Sequence, residues 1–187
     1  MANISDKELI SRYIKGDSKS LEVLVKRYLN LIYSFVYRYI GGGPEAEDIT
    51  QEVFVRVWKN IKKFDKDKSF KTWIFTIAKN ACVDYFRKKK EIPFSNFEKE
   101  NGNSIFDNLA DSAALPLELL EQKDIATMLS RAMEKIYSKH RMVLYLRYND
   151  HFTFKEIAES LGEPLNTVKS QHRRGIISLK KILTINK

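Results

Sequence analysis

Residues 70–90 place cations and flat rings on one short stretch. Lys71, Lys79, Arg87 and Lys88 stand among Phe70, Phe75, Tyr85 and Phe86, with Asn80 and Asp84 between them. Cations hold phosphates and aromatic faces stack on unpaired bases, so this mixture suits a single nucleic-acid strand. Aromatics at helical spacing are more often core residues, which keeps the weight of this pattern modest. A second set lies near the C-terminus: Thr167, Lys169, Ser170, Gln171, Arg173 and Arg174 fall within eight residues. Their donors match phosphates and the acceptors on base edges in a DNA major groove. Catalytic patterns are missing by comparison. His140, His151 and His172 form no HExxH, and there is no GxGxxG, P-loop or GxSxG. Asp65 and Asp67 stand among lysines and make a weak cation site. The expectation is no catalytic residue, no metal and no cofactor.

The elements that carry these residues are helical. Ser5 and Glu8 have the spacing of a capping box, and Leu9, Ile10, Tyr13 and Ile14 recur at helical spacing up to Gly16. A long helix over about 17–40 carries a wide apolar stripe, broken by Gly41-Gly42-Gly43-Pro44. Pro44 suits a helix start, and Glu45, Glu47 and Asp48 favour its positive end. In that third helix Ile49, Val53, Val57 and Ile61 make a core seam that Phe54 and Trp58 widen, while Asp48, Gln51, Glu52 and Lys59 face outward. A charged loop at 64–69 follows, and Ser69 can cap a helix over 70–89 whose buried side is Trp73, Ile74, Ile77, Ala78 and Ala81. Helical periodicity returns from Leu117. A buried helix is expected at 141–148, a short one at 154–162, and a long last helix from Thr167, with Asn166 as its cap. Ala158, Gly162 and Val168 have the spacing of a helix-turn-helix: a small residue, a turn and a packing residue.

The chain has 187 residues, 43% hydrophobic, and a net charge of +9. Residues 1–90 carry +8, 91–124 carry −6 and 125–187 carry +7. Two basic bodies flanking an acidic strap point to a polyanionic partner. Residues 91–116 lose periodicity and are expected to be a linker. Cys82 is the sole cysteine, which excludes an internal disulfide or zinc finger. The start, MANISDKELI, has no apolar run after a basic region, and no stretch is long enough to span a bilayer. The expectation is a cytoplasmic protein without membrane contact of its own. These residues leave three readings open: a stand-alone helix-turn-helix regulator, a basic helical protein binding RNA or anionic membrane without specificity, and a recombinase.

Three stretches together, EDITQEVFVRVWKN, FDKDKSFKTWIFTIAKNACVDYFRKKK and FTFKEIAESLGEPLNTVKSQHRRGIISLKKIL, resemble the extracytoplasmic-function (ECF) group of bacterial RNA polymerase sigma factors. The resemblance covers nearly the whole chain. It implies an all-α fold of two small helical domains: region two at 1–90, an acidic flexible linker at 91–116, and region four, a helix-turn-helix domain, at 117–187. The family is not enzymatic; it gives core polymerase its promoter specificity in transcription initiation. The resemblance implies that Asp48, Gln51, Glu52, Val55 and Trp58 dock on the β′ clamp helices. Phe64, Asp65, Lys66, Asp67, Lys68 and Ser69 match the loop that captures a flipped minus-ten base. Trp73, Asn80, Asp84 and Arg87 match the helix engaging that element. Thr167, Lys169, Ser170, Arg173 and Arg174 match the helix that reads the minus-thirty-five element. Core RNA polymerase (β′ clamp and β flap), promoter DNA and an anti-sigma factor are the implied partners. The chain departs from the family pattern at Lys135-Ile136-Tyr137, Glu163, Gln171, His172 and Gly175, where Leu-Pro, an apolar residue, Arg, Leu or Ile, and Ala are usual. Gly175 alone is expected to cost about 1 kcal/mol of helix stability.

Overall fold

The computed structural model describes residues 4–91 and 117–185. Among them are eight α-helices and no strand: α1 (Asp6–Ile14), α2 (Ser18–Ile40), α3 (Glu45–Asn60), α4 (Phe70–Glu91), α5 (Leu117–Glu134), α6 (Ser138–Leu144), α7 (Phe154–Leu161) and α8 (Leu165–Ile185). The expected linker falls almost wholly outside the described residues. The described helices form two compact units. One holds α1–α4 with α7; the other holds α5, α6 and α8 from Asn166 onward.

The first unit is built on the apolar seams of α2, α3 and α4. Leu24, Ile32, Phe35 and Val36 of α2 are buried, as are Ile49, Val53 and Val57 of α3 and Ile74, Phe75, Ala78 and Cys82 of α4. Phe35 meets Phe75 edge to face at 5.1 Å, and Tyr28 meets Phe70 at 5.3 Å. Such pairs add about 0.5–1.5 kcal/mol each beyond the area they bury. Tyr28 and Arg27 both donate to Asp6, which fastens α1 to α2. The Ser5 side chain accepts from the Glu8 N–H, but the Glu8 carboxylate turns to Arg12, so the expected reciprocal box is replaced by an ion pair one turn on. The turn 41–43 runs through φ of 88°, 91° and 114°, which only glycine adopts without strain. Phe152, ahead of α7, stacks on Phe75 at 4.8 Å, and Lys71 of α4 lies 4.2 Å over its ring. α7 opens with a full capping box between Thr153 and Glu156, a signal that the sequence carries as T-x-x-E.

In the second unit Met133, Ile136 and Leu144 form a buried cluster with Tyr145, Ile176, Leu179 and Ile182 around it. The helix expected at 141–148 begins earlier, at Ser138, and turns into a π-helical stretch, Tyr145–Asn149. α8 begins at Leu165, so Asn166 lies inside the helix and is not its cap. Gly175 is buried against α6. A Cβ there would sit 3.1 Å from Leu144 Cγ and 3.4 Å from His140 Cβ. The glycine that looks like a helix defect is thus what lets α8 approach α6.

Candidate nucleic-acid interface

α3 shows two faces with different work. Asp48, Gln51, Glu52, Val55 and Trp58 fall on one side at helical spacing, and all five are exposed. Trp58, expected to widen the core seam, is 58% exposed, because its position lies with Glu52 and Val55 and not with Val53 and Val57. An exposed Trp and Val ringed by acids form an apolar patch with an acidic border, a composition that suits a basic protein surface. The opposite face of α3 supplies the core.

Between α3 and α4 lies an open cleft of about 320 Å³, lined by Arg56, Asn60, Lys63, Trp73, Ile77 and Asn80. It brings together two of the four helix residues expected to meet DNA, Trp73 and Asn80. Trp73 is half-buried, seated on Phe64 at 5.0 Å and Phe70 at 5.6 Å, so its ring is held while one edge stays open. Asp84 and Arg87 do not line the cleft. They pair with each other at 3.4 Å, and Asp84 also accepts from Arg56 at 3.0 Å. Arg56 is a residue that sequence reasoning missed, along with Asn60 and Lys63. Its signal was the i, i+4 spacing to Glu52, which reads as an ordinary surface pair. Glu52, chiefly, and Asp84 hold the Arg56 guanidinium further above its already high range, so it stays charged.

The loop before α4 divides. Asp65, Lys66, Asp67, Lys68 and Ser69 are exposed, while Phe64 is buried. Asp65 accepts from the Asp67 N–H at 3.0 Å, which gives the loop an internal turn. Ser69 Oγ accepts from the Thr72 N–H at 3.3 Å and caps α4 as expected. Phe70 and Phe75 are also buried, so of the interleaved aromatics only Tyr85 and Phe86 reach solvent. The ring that borders the cleft is Trp73, and Phe64 and Phe70 support it.

On α8, Thr167, Lys169, Ser170, Arg173 and Arg174 are all exposed. A second, larger cleft of about 520 Å³ is lined by Thr167, Ser170, Gln171 and Arg174 together with Tyr137, Lys139 and His140. Lys169 and Arg173 lie off it, on other sides of the helix. The wall made by Tyr137, Lys139 and His140 was not foreseen, since it joins α8 only through the fold. Tyr137 packs on His140 at 5.4 Å. Burial, with Arg174 beside it, lowers the pKa of His140. His172 turns away and shares a 3.0 Å hydrogen bond with the Tyr148 hydroxyl, which the π-helical stretch presents. Burial, chiefly, lowers its pKa too, with Arg147 adding to the effect. A polar ring thus occupies a site of partial burial because Tyr148 satisfies it.

Comparison with known proteins agrees with this layout. The family model of Sigma-70 region 2 matches residues 24–92, and that of Sigma-70 region 4 matches residues 132–181. The ECF RNA polymerase sigma factor SigW of Bacillus subtilis (strain 168) is 34% identical over 179 residues, 95% of this chain and 96% of that protein. The ECF RNA polymerase sigma-E factor of Escherichia coli (strain K12) is 30% identical over 172 residues, 90% of this chain and 88% of that protein. Among solved structures, the sigma factor RpoE of Bartonella quintana, in complex with the anti-sigma factor NepR, superposes with a TM-score of 0.68 at 20% identity, covering 90% of this chain and 99% of that one. That last likeness is one of fold. The two family models in order, the acidic face of α3 and the two basic clefts together place the chain among the ECF RNA polymerase sigma factors.

Proposed function

We propose that this chain docks on core RNA polymerase through the exposed face of α3 and reads promoters through two separate surfaces. Asp48, Gln51, Glu52, Val55 and Trp58 meet the clamp helices of the β′ subunit. The cleft between α3 and α4, with the loop 65–69 beside it, takes bases that leave the duplex at the minus-ten element. Flipping a base costs a few kcal/mol, roughly what one stacking face and a few hydrogen bonds return. Trp73 supplies the face; Asn80 and Asn60 supply donors and acceptors for base edges; Lys63 and Arg56 supply charge for the strand. Spontaneous opening is then trapped and not reversed. Thr167, Lys169, Ser170, Arg173 and Arg174 of α8 meet the minus-thirty-five element, and residues 117–187 also contact the β flap.

The observation that carries this reading is the side-by-side placement of two surfaces on α3 and α4. One exposed acidic and apolar face suits a basic protein, and a cationic cleft with a fixed tryptophan opens along its flank, where Arg56 pairs with Glu52. Such an arrangement needs no catalytic group of its own, and we assign none: the chemistry is the polymerase's. The expected compartment is the cytoplasm, where core polymerase is. An anti-sigma factor is an expected partner, and RpoE of Bartonella quintana is found in complex with one, NepR.

The test is reconstitution of the purified chain with core polymerase, with transcription starts mapped across the host genome. Starts that share a bipartite upstream motif support the reading. A chain that never joins the core yet binds duplex DNA tightly alone would instead be a stand-alone regulator.

A further inference from the structure

Arg56 touches both surfaces at once. Its Nε donates to Glu52 Oε1 at 3.1 Å, and its Nη2 donates to both Glu52 Oε1 and Asp84 Oδ2, the latter at 3.0 Å. Glu52 is on the outward face of α3, whereas Arg56 lines the α3–α4 cleft. Asp84 pairs in turn with Arg87. The set holds two carboxylates and two guanidiniums, so it is neutral while closed. Its members differ in exposure. The Arg56 and Asp84 side chains are 31% and 32% exposed, and Glu52 is 45% exposed. Of the two carboxylates, Glu52 is therefore the one that an incoming cation reaches first.

We propose that Arg56 is a positioning residue that couples polymerase docking to single-strand capture. A polymerase cation that pairs with Glu52 takes over the carboxylate that holds two of the Arg56 donors. Asp84, Arg56 and Arg87 then carry a net charge of +1 beside the cleft, and the freed donors can turn to a phosphate or base carbonyl of the unpaired strand. An arginine suits this exchange because its planar fork can release one carboxylate while keeping the other. The coupling is reciprocal: a strand bound in the cleft loosens Arg56 from Glu52 and so tightens polymerase binding by the same factor. This inference rests on α3 as the polymerase surface and on the cleft as a single-strand site.

A mutant cycle on the full chain tests it. The readout is the anisotropy of a fluorescein-labelled, mixed-sequence single-stranded DNA of about twelve nucleotides. Without polymerase, E52Q should tighten binding by about fivefold, the low end of ordinary couplings between sites. In an R56Q background the same change should do no more than E47Q, which removes a charge from the first turn of α3, well away from Arg56. R56K keeps the charge but lacks the fork; it should also erase most of the E52Q effect, and it carries the cycle if R56Q fails to fold. With core polymerase added, the unmodified chain should gain more affinity for the oligonucleotide than R56Q gains. Equal effects of E47Q and E52Q, or an E52Q effect indifferent to Arg56, would overturn the coupling while leaving holoenzyme assembly intact. Failure of the unmodified chain to join the core would overturn the polymerase surface itself, and the coupling with it.

Discussion

The α3–α4 cleft and the exposed side of α8 use similar residues under opposite constraint. In the α3–α4 cleft, Arg56 is tied to two carboxylates and Trp73 is seated on Phe64 and Phe70. On α8, Lys169, Arg173 and Arg174 project from one helix as exposed side chains. The difference fits the targets proposed for them. A duplex presents phosphates at regular spacing, so long, mobile cations find them at little cost. An unstacked base has no fixed position until the protein gives it one, so its site must be rigid beforehand. On the proposed reading, constraint more than charge separates melting from reading in this chain.

Variants can break that contrast at points of decreasing effect. The double change Asp48→Lys and Glu52→Lys should separate docking from both clefts. Like charges placed against a basic partner cost several kcal/mol, so affinity for core polymerase should fall by at least about a hundredfold, with the helical circular dichroism unchanged. Normal assembly would remove α3 from the interface. Trp73→Ala tests rigidity: it should lower unfolding stability in urea by about 2–3 kcal/mol and also slow promoter opening seen by permanganate reactivity. A variant that opens promoters normally would mean the ring is only core. Arg174→Ala should cost about 1–3 kcal/mol of promoter binding where a minus-thirty-five element is present, and little where it is absent.

Two smaller effects probe the second unit alone. Gly175→Ala gains about 1 kcal/mol in helix propensity and meets Leu144 at 3.1 Å, so the net change should lie near zero or be destabilising. In a Leu144→Ala background the same substitution should stabilise, as thermal melting would register. His172 carries a folded pKa below its ordinary value, because burial disfavours the charged ring. The unfolded chain therefore takes up the proton first as pH falls. Stability of this unit is full above the unfolded pKa and declines as pH drops from about 7 toward the lower folded pKa. His140 contributes with the same sign. His172→Leu should flatten the slope; an unchanged slope would assign it to His140.

Much of this was legible in the residues. Helical period and the glycine run located α1–α4 and turned Asp48, Gln51 and Glu52 outward; only the family resemblance added Val55 and Trp58 and a docking role for that face. Two kinds of feature were not. Buried and exposed aromatics look alike along a helix, so Phe70 and Phe75 stood beside Tyr85 and Phe86 as stacking candidates until their burial was seen. Contacts across distant sequence were equally silent. The link from Arg56 to Asp84 spans 28 residues, and the wall of Tyr137, Lys139 and His140 joins α8 only after folding. The odd residues Gly175 and His172 looked like departures from pattern; each is matched by a neighbour, Leu144 and Tyr148, that sequence alone does not pair with it.

Cys82 lies fully buried in α4, and burial pushes its thiol up to about 12. At neutral pH almost none of it is the reactive thiolate. For spectroscopy this makes the natural chain a blank background. A cysteine introduced at exposed Lys66 or Lys169 would be the one site that a maleimide dye labels quickly. The distance between two such dyes could then report on the arrangement of the two clefts, free and on the polymerase, without first removing the native thiol.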